Sequence, residues 1–545
     1  MKWRIGLLIF FFSSLYASLI FNLYSLQIKK GFIFATQAAN QNKIAELLNP
    51  TRGNIYFIDK DNQEIPAALN KEFPIVYAVP KEIENPEEVA LKISSIVGKS
   101  VDDLKKILSK PNDLYELLIY KASEEQLNQL KALGLKGIYV KNQLLRFYPF
   151  EKRAAHVLGF VGPSQNDETM TGKYGVEAYF NNFLAGKIGQ IKGNLIIKPT
   201  NGNDLFLTID PNIQLQAEEI LESLIKEYEA IGGTVIVEEP KTGKILAMAN
   251  FPNFDPNKYW NYNLANFLNP AVQAVYEPGS VFKLFTMAAG IDSGKISPQT
   301  TYVDTGSVTL NGKTIRNFEL KVYSKQTMTN VIEHSINTGA VFAQQRIGND
   351  LFYDYLKKFG FTETTGITLP GEIKGNLNNL VKGRDINYAT ASFGQGVAVT
   401  PLQLINAVCA IANGGKLMKP YILADEKPQE IRQVISESAA RVVTEMMVSA
   451  VKVNIVADIP NYSVAGKTGT AFIPNFNTGG YTEDVINTYV GFAPAFDPKF
   501  TILIKIEKPK GAINAGRSVV PAFRKFAEFL LNYYQVPPDK INNEQ

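Results

Sequence analysis

The apolar run at the start of the chain constrains its fold more than any other feature. From Ile5 to Ile28 no charged residue occurs, and Leu, Ile and Phe predominate. Because an α-helix rises about 1.5 Å per residue, about 20 such residues cross the hydrocarbon core of a bilayer. The run predicts an N-terminal transmembrane helix, with residues 1–30 forming a short cytoplasmic tail and the anchor.

A cleaved signal peptide is the alternative interpretation of this segment. Lys2 and Arg4 form a basic start, and Ala17-Ser18 resemble a cleavage site. However, a secretory apolar core has only about 7–15 residues, and this run continues to Ile28, which favours an uncleaved anchor in the membrane over residues 5–28. The two basic residues of the tail favour a cytoplasmic N-terminus. We therefore expect a single-pass protein of the cell (inner) membrane, with the rest of the chain outside the cytoplasm.

Composition excludes several classes of protein. The chain has 545 residues, of which 45% are hydrophobic and 20% charged, so it should fold into roughly two to four domains. Its net charge of +4 gives no reason to expect nucleic acid as a partner. The only histidines are His156 and His334 and the only cysteine is Cys409, which excludes a disulfide framework and argues against a Cys/His zinc site. We expect no metal, no cofactor, and a proton-transfer group other than histidine.

The pattern of strands and helices predicts an α+β protein with a boundary near residues 205–230. Residues 50–80 read as short strands with turns, and residues 85–135 are Lys/Glu-rich with a helical pattern, which indicates a smaller α+β module. The elements predicted after it are a strand over 205–209, a helix from Asp210-Pro211 to about Glu229, a hairpin of 234–238 with 244–248, strands over 488–492 and 500–506, and a closing helix over 520–534. The polar residues 536–545 are expected to be frayed.

A serine and a lysine three residues apart form the first chemical motif. Residues 277–279 read as a turn, and an apolar helix follows, so Ser280 and Lys283 lie on one face of its first turn. Burial disfavours the charged ammonium, which lets a lysine act as the base for an adjacent serine nucleophile. Alone, the motif is far more often that of a capping serine beside a solvated lysine.

Two later segments complete a known combination of motifs. A Ser-x-Asn at 335–337 and a Lys-Thr-Gly at 467–469 follow the Ser-x-x-Lys along the chain. This set, in this order, is typical of penicillin-binding proteins and β-lactamases. It makes Ser280 the candidate nucleophile and Lys283 its candidate base.

The other motif residues have roles that their chemistry allows. Ser335 can relay a proton between the lysines and the leaving amine, and the Asn337 amide can hold a substrate carbonyl or the Lys283 ammonium. Lys467 adds a positive charge that favours neutral Lys283 and attracts a substrate carboxylate. The candidate catalytic residues are therefore these four and Ser280.

The strand around the Lys-Thr-Gly motif is the candidate substrate-binding element. Gly469 would let a ligand backbone approach closely, so that a peptide could add there as an extra strand. Thr468, Gly469 and Thr470 are the candidate substrate-binding residues. The backbone N–H groups of Ser280 and Thr470 would form an oxyanion hole.

Over almost its whole length the chain resembles the class B penicillin-binding proteins, peptidoglycan D,D-transpeptidases of the bacterial cell envelope. Besides the three motifs, the resemblance rests on Arg52-Gly53-Asn54-Ile55, Arg146-Phe147-Tyr148-Pro149, His156-Val157-Leu158-Gly159-Phe160, Gly175-Val176-Glu177, Leu207-Thr208-Ile209-Asp210, residues 242–248, Gly394-Gln395-Gly396 and residues 399–403. It implies an elongated α+β pedestal (dimerisation-like) domain over 31–215. It also implies a transpeptidase domain over 216–535, built as an antiparallel sheet flanked by helices, and a polar tail over 536–545.

The resemblance also implies an activity and partners. Ser280 would take the acyl group of a D-Ala-D-Ala stem peptide, release D-Ala and pass the acyl group to a neighbouring amine, and β-lactams would acylate the same serine. Residues 276–280 and 399–403 look more like the division-type than the elongation-type enzyme, which predicts a role in septal cell-wall synthesis. A SEDS-type glycan polymerase and other divisome membrane proteins are the partners that the family implies.

Other functions remain open on the same motifs. They are an elongation-type transpeptidase acting in cell shape, a β-lactamase or β-lactam sensor, and a non-catalytic division scaffold. The long module before the catalytic domain and the lack of a deacylating carboxylate motif disfavour a β-lactamase. The complete set of serine and lysine residues disfavours a scaffold.

Three residues and one loop have plainer interpretations. His334 is expected to point away from the site, because adjacent helix positions face about 100° apart. His156 and Cys409 are expected to be buried structural residues. The loop over 474–481 is predicted to be either a flap over the site or a hairpin tip.

Overall fold

The computed structural model of the protein describes residues 2–24, 48–164, 170–192, 195–475, 478–512 and 514–540. Contacts divide the chain into two compact units, one of residues 1–53 and 182–203, and the other of residues 54–181 and 204–545. All three sequence motifs lie in the second unit.

The first helix, α1, spans Lys2–Tyr24 and leaves large apolar side chains such as Phe10 and Phe21 exposed. Over the part of the chain that the structure describes, no helix has both the length and the apolarity needed to cross a membrane. Residues 25–30, where the predicted anchor ends, lie outside the described residues. The transmembrane anchor stays a prediction.

Short strands and helices alternate between residues 48 and 207. The strands are β1 Ile55–Ile58, β2 Glu64–Ala78, β3 Glu116–Ile119, β4 Ile138–Phe147, β5 Phe160–Pro163, β6 Met170–Lys173, β7 Gln190–Lys192, β8 Leu195–Ile197 and β9 Leu205–Leu207. The helices are α2 Pro86–Val97, α3 Val101–Leu108, α4 Glu124–Leu133, α5 Ala155–Leu158, α6 Gly175–Tyr179 and α7 Asn181–Ala185. In the first unit, β7 and β8 form an antiparallel hairpin, and Gly202 N–H donates to the Thr51 carbonyl at 2.9 Å.

Five strands form one sheet in the part of the second unit that precedes Pro211. In the description of the structure, the name pedestal is used for this part alone. The strand order is β3-β2-β1-β9, with β4 beside β2. The pairing of β1 with β9 is parallel and the others are antiparallel. The strand predicted near the domain boundary thus belongs to the pedestal sheet.

Three helices pack on the pedestal sheet. Each begins at a side chain that accepts a hydrogen bond from a backbone N–H of the first turn, namely Asn85, Ser100 and Ser123. Apolar side chains from α2–α4 form one core with Val76 and Ala78 of β2. The helices predicted from Pro86 and over 124–133 are confirmed, whereas Glu116–Ile119, inside the region with a helical pattern, forms strand β3.

A buried ion pair ties β4 to α6. Arg146 Nε donates to Glu177 Oε1 at 2.6 Å, and both side chains are almost fully buried. Tyr148 Oη donates to the same oxygen at 3.2 Å and accepts from Val161 N–H at 3.0 Å. Two segments on which the family resemblance rests therefore meet inside the pedestal.

The remaining elements form the larger domain. Its strands are β10 Gly232–Glu239, β11 Lys244–Phe251, β12 Thr301–Asp304, β13 Ser307–Leu310, β14 Lys313–Arg316, β15 Ser324–Thr327, β16 Lys416–Met418, β17 Glu430–Gln433, β18 Ala465–Pro474, β19 Tyr481–Ala493 and β20 Phe500–Glu507. Its helices are α8 Pro211–Tyr228, α9 Pro270–Gln273, α10 Lys283–Asp292, α11 Met328–Glu333, α12 Asn337–Ile347, α13 Asn349–Lys358, α14 Asp385–Ala391, α15 Pro401–Ala412, α16 Glu437–Asn454 and α17 Val519–Tyr533. The predicted helix after Asp210, the hairpin, the last two strands and the closing helix are all present.

The central sheet of this domain is antiparallel throughout and has the order β11-β10-β20-β19-β18. Strands β10 and β20 are buried along nearly their whole length, because helices cover both faces. Among the described strands, β18 pairs only with β19 and lies at one edge. An edge strand offers backbone N–H and C=O groups to an added strand.

Helices α8 and α17 cover one face of the sheet, where Leu221 and Phe523 pack with Ile504 of β20. Helix α15 packs against β10 and β20 as well, and its Cys409 lies beside Glu238 of β10. Successive residues of a strand point to opposite faces, which lets both helix layers pack on the same strands. The predicted antiparallel sheet flanked by helices is confirmed.

The described part of the polar tail is not frayed. Val536 is buried, and Asp539 accepts hydrogen bonds from Ser463 through its backbone N–H, at 2.7 Å, and its hydroxyl. Lys540 N–H donates to the Asn461 carbonyl at 3.0 Å. The prediction of a frayed tail is wrong for residues 536–540, because polar residues can be held by hydrogen bonds as well as by burial.

Candidate active site

The three motifs meet at the β18 edge of the central sheet. Ser280 lies on a 3-10 turn of Gly279–Phe282, which we call the nucleophile turn, and this turn leads directly into α10 at Lys283. The Ser-x-Asn motif lies where α11 ends and α12 begins, and Lys467 lies on β18. Side chains from three separate elements therefore converge.

Ser335 has a strained backbone between two helices. Helix α11 begins with a capping box formed by Thr327 and Asn330 and ends at Glu333. Ser335 then has a φ of 57°, in the left-handed region that residues other than glycine rarely adopt. Such strain costs about 1–3 kcal/mol and occurs most often at functional sites. In this conformation both the carbonyl and the hydroxyl of Ser335 contact Lys283 Nζ.

Four oxygen atoms surround Lys283 Nζ. Ser335 O lies at 2.6 Å, Ser280 Oγ and Asn337 Oδ1 at 2.9 Å, and Ser335 Oγ at 3.2 Å. The lysine side chain is completely buried. Burial, and secondly the charge of Lys467, hold the pKa of Lys283 well below its ordinary value. Both effects favour the neutral amine that a base requires.

These oxygens also direct the lone pair of a neutral Lys283. Such an amine has two N–H donors, and the carbonyl oxygens of Ser335 and Asn337 can only accept, so they take both. The lone pair is left for a hydroxyl proton. Ser280 Oγ, at 2.9 Å, is nearer than Ser335 Oγ, at 3.2 Å. The geometry suits transfer of the Ser280 proton to Lys283.

Lys467 contacts Ser335 from the opposite side. Its Nζ lies 3.0 Å from Ser335 Oγ and 3.2 Å from both the carbonyl and the hydroxyl oxygen of Thr468. Burial lowers the pKa of Lys467 to about 7. Ser335 Oγ thus lies between the two lysines, and its role as a proton relay stays a prediction.

A cavity of about 560 Å³ opens over these groups, a volume in the range of ligand-binding pockets. Its lining includes every predicted site residue except Lys283 and Gly469, which lie beneath the surface. Residues 318–323 and the end of α16 form further parts of the wall, as do residues 514–517, with position 513 outside the described residues. Ser280 is thus reached from this cavity.

A side chain at position 469 would collide with the nucleophile turn. A Cβ at this position would lie 2.6 Å from the Pro278 carbonyl oxygen and 3.0 Å from Val281 Cγ2. The missing side chain makes room for the nucleophile turn. The close approach of a ligand backbone to β18 at Gly469 stays a prediction. Gly394 contacts the turn as closely, since a Cβ there would lie 2.2 Å from the Gly279 carbonyl oxygen.

The two threonines of β18 line the cavity. Thr470 Oγ1 accepts a hydrogen bond from Ala515 N–H at 3.1 Å, which ties the strand to the 3-10 helix Ala515–Arg517. Thr468 contacts Lys467 as described above. Substrate binding by Thr468 and Thr470, and the oxyanion hole formed by the backbone N–H groups of Ser280 and Thr470, stay predictions.

Sequence reasoning missed Glu277, which links three parts of the site. Its Oε1 accepts from Gly396 N–H and its Oε2 from Tyr481 Oη, both at 3.0 Å. Burial raises the pKa of Glu277, and these two hydrogen bonds oppose the shift. Its position immediately before Pro278 was the only available signal. Tyr481 closes the loop over 474–481, which is the tip of the β18–β19 hairpin and includes two positions, 476 and 477, outside the described residues.

The histidines and the cysteine stand apart from the reacting groups. His334 lines the cavity, so the expectation that it points away is wrong, but its ring stacks on Tyr323 at 5.5 Å. His156 is buried with Nε2 3.0 Å from the Asn266 carbonyl, and burial lowers its pKa to about 4. Cys409 is buried as predicted. In the described residues no three His, Cys, Asp or Glu side chains converge as metal ligands would.

Comparisons with known families agree with this architecture. The family described as "Penicillin binding protein transpeptidase domain" matches residues 233–528, which is more than half of the 545 residues. The "Penicillin-binding Protein dimerisation domain" matches residues 47–195.

Individual relatives share most of the chain. It is 33% identical to Stage V sporulation protein D of Bacillus subtilis, over 86% of this chain and 76% of that protein. It is 29% identical to the probable peptidoglycan D,D-transpeptidase PenA of Neisseria meningitidis, over 98% of this chain and 94% of that protein. The crystal structure of penicillin-binding protein 3 from Mycobacterium tuberculosis, complexed with aztreonam, is similar with a TM-score of 0.71 and 26% identity over 90% of this chain and 98% of that one. With a dimerisation domain followed by a transpeptidase domain, the chain belongs to the class B penicillin-binding proteins.

Proposed function

We propose that the protein is a membrane-anchored peptidoglycan D,D-transpeptidase that cross-links stem peptides through an acyl-enzyme on Ser280. The observation that carries this proposal is the environment of Lys283 Nζ, where two carbonyl oxygens take the N–H groups and Ser280 Oγ lies 2.9 Å away. Relatives named as D,D-transpeptidases support the substrate class.

Acylation begins with transfer of the Ser280 hydroxyl proton to neutral Lys283. The serine oxygen then attacks the carbonyl carbon between the two terminal D-alanines of a stem peptide. Backbone N–H groups of Ser280 and Thr470 would bind the oxyanion, because both residues line the cavity. Charged Lys467 would attract the terminal carboxylate of the peptide.

Collapse of the tetrahedral intermediate breaks the peptide bond and forms the ester. The leaving nitrogen needs one proton, and Ser335 Oγ can supply it because it contacts both lysines, at 3.2 Å from Lys283 and 3.0 Å from Lys467. Lys283 returns its proton to Ser335, which restores the neutral base as D-Ala leaves. An acceptor amine then attacks the ester and loses its proton to Lys283. Lys283 passes this proton to Ser280 Oγ as the ester bond breaks, which gives the cross-linked amide, free Ser280 and a neutral base.

The septal role and the membrane anchor belong to the same proposal. Helix α1 with its exposed apolar side chains supports an anchor, and the division-type segments at 276–280 and 399–403 support septal synthesis with a SEDS-type polymerase as partner. Membrane fractionation tests the anchor. The full chain should sediment with membranes, and a variant lacking residues 1–30 should not; sedimentation of both would contradict the anchor.

A β-lactamase is the principal alternative, and the carboxylates of the cavity disfavour it. Of the acidic side chains in the lining, Glu333 accepts from Ser449 Oγ and from Asn330 Nδ2, and Glu319 pairs with Lys321. Neither forms a hydrogen bond to Ser280 within the described residues. Among the described residues that line the cavity, both carboxylates are thus engaged with other groups, which disfavours a role in activating water against an acyl-enzyme.

The deciding experiment treats full-length protein in detergent with a penicillin and measures its intact mass. We expect a stable increase of one penicillin mass on the wild type and none on Ser280→Ala. Rapid penicillin hydrolysis without an adduct would instead indicate a β-lactamase, and no reaction would indicate a scaffold. Release of D-Ala from a synthetic stem pentapeptide, with transfer of the acyl group to an added amine, tests the transpeptidase step itself.

A further inference from the structure

We propose that Asp304 and Asn317 are positioning residues that fix the orientation of the Asn337 amide and so the direction of the Lys283 lone pair. Neither residue belongs to a catalytic motif. The inference rests on the proposed function, because it concerns how Lys283 serves as the base for Ser280.

The orientation of the Asn337 amide decides whether Lys283 Nζ faces a hydrogen-bond acceptor or a donor. Asn337 Oδ1 lies 2.9 Å from Lys283 Nζ, and Asn337 Nδ2 donates to the Arg316 carbonyl at 3.0 Å. If the amide turned over, its NH2 group would face Nζ, and a neutral lysine would have to direct its lone pair there. The lone pair would then no longer be available to Ser280. The Arg316 carbonyl is the group that prevents this rotation.

The residue after Arg316 anchors that carbonyl. Asn317 Nδ2 donates to both carboxylate oxygens of Asp304, at 3.0 and 2.9 Å, and to the Lys321 carbonyl at 3.1 Å. Asn317 Oδ1 accepts from the backbone N–H of Thr338 at 3.1 Å. A single buried side chain thus connects the end of β14 to the first turn of α12, next to Asn337.

Asp304 accepts further hydrogen bonds that fix its own position beside Asn317. Its Oδ1 accepts from Thr338 Oγ1 at 2.6 Å and from Gly306 N–H at 3.0 Å, and its Oδ2 accepts from Tyr323 N–H at 2.8 Å. The side chain is only 2% exposed. Because every polar group that faces it donates, only a carboxylate satisfies the site, and an amide would direct its NH2 group at another donor.

The same carboxylate also holds one wall of the cavity. Residues 318–323 follow Asn317 directly and end at Tyr323, whose backbone N–H donates to Asp304. Four of these residues line the cavity. Asp304 therefore connects the wall that a peptide would contact to the amide that orients the base. A purely structural residue would affect how much protein folds, whereas a positioning residue affects how fast folded protein reacts.

The first test is Asp304→Asn, with Asp354→Asn as the matched control, since Asp354 is an exposed partner of Lys357. Full-length protein is mixed with a fluorescent penicillin, and both the acylation rate at saturating penicillin and the final labelled fraction are measured. A misplaced catalytic group can cost about 100-fold in rate, so we expect the Asp304→Asn rate to fall at least about 10-fold. The labelled fraction should match the wild type, and Asp354→Asn should change neither quantity.

A second pair of variants decides the matter if Asp304→Asn does not fold. Thr338→Val removes the hydroxyl that bonds Asp304 and keeps the side-chain shape, while Thr338→Ser keeps the hydroxyl. We expect Thr338→Val to slow acylation about 5-fold or more at an unchanged labelled fraction, and Thr338→Ser to stay within about 2-fold of the wild type.

Each outcome is decisive. Folded Asp304→Asn or Thr338→Val with a rate within about 2-fold of the wild type would overturn the inference, as would a reduced labelled fraction at an unchanged rate. Failure of the wild type itself to be acylated would refute the proposed function, which is a separate result.

Discussion

Burial strongly affects two lysines of the candidate site, Lys283 and Lys467. Each places an amine in a site with little solvent, and each has a lowered pKa. The proposed mechanism requires opposite protonation states of the two lysines, because Lys283 has to be neutral to accept the Ser280 proton and Lys467 has to be charged to attract a carboxylate.

This opposition predicts a bell-shaped pH dependence of the second-order acylation rate constant. Lys283 is neutral above its lowered pKa, so the rate constant should rise with pH through that value. Lys467, with a pKa of about 7, loses its charge above neutrality, so the rate constant should fall there. In Lys467→Arg the guanidinium stays charged, and the alkaline fall should disappear. An unchanged alkaline fall in this variant would show that Lys467 is not its source.

The same burial predicts that Lys467 destabilises the fold. The unfolded chain binds a proton on this lysine below its ordinary pKa of 10.5, whereas the folded chain binds it only below about 7. Between these values stability decreases as the pH falls, and by pH 7 the loss is on the order of a few kcal/mol. Lys467→Met should therefore abolish acylation yet raise the melting temperature at pH 7. The gain should shrink toward pH 10, and exposed Lys452→Met should show none.

Residue identities were the part of the site that could be predicted. Ser280, Lys283, Ser335, Asn337 and Lys467 stand in motifs of fixed spacing, and the structure brings all five together. The residues that orient them could not be predicted, because Asp304 reaches Thr338 only through the packing of β12 against α12, and no spacing along the chain records that contact.

At the scale of elements, the nucleophile turn is held by contacts between backbones. The Pro278 carbonyl of the turn packs directly on Gly469 of β18. A Cβ added at Gly469 would lie 2.6 Å from the Pro278 carbonyl oxygen. Gly469→Ala should displace the turn and slow acylation by about 100-fold, since small displacements of reacting groups cost that much. Gly162→Ala is the control, because its nearest neighbour would lie at 3.4 Å. Acylation of Gly469→Ala at the wild-type rate would show that the turn tolerates the methyl group.

Regular elements could be predicted from caps and periodicity, whereas the joints between them could not. Asp210 before Pro211 predicts the start of α8, and the structure has that helix with Asp210 as its N-cap. The left-handed Ser335 and the packed residues 536–540 depend on tertiary hydrogen bonds, which override the local preference of a serine and of a polar tail.

At the scale of the whole molecule, the second compact unit contains both the pedestal sheet and the catalytic sheet. Asn257 connects them, since its Nδ2 donates to the Tyr148 carbonyl at 2.8 Å and its Oδ1 accepts from Tyr148 N–H at 3.1 Å. Phe160 also stacks on Tyr259 with ring centres 4.3 Å apart. We therefore expect the two parts to unfold together, and the domain boundary at 215/216 stays a prediction.

Cooperative unfolding predicts that a destabilising mutation in the pedestal also lowers the temperature at which penicillin labelling of Ser280 is lost. Glu177→Leu leaves the Arg146 charge buried without its carboxylate partner, which should lower the free energy of unfolding by about 3–5 kcal/mol. The temperature at which penicillin labelling is lost should fall together with the melting temperature. Glu84→Gln, which breaks an exposed pair with Lys136, should shift neither. Labelling that survives after the pedestal melts would show that the two parts unfold independently.

The contacts between backbones at the nucleophile turn also bear on how resistance to an acylating drug could evolve. Substitutions at Gly394 or Gly469 would move the serine away from the natural peptide as much as from the drug, so selection has little freedom there. Escape from the drug should instead accumulate on the cavity rim, where Phe318 and Phe472 are partly exposed and can change without moving the turn. A population passaged under such a drug should vary at the rim while its turn stays invariant.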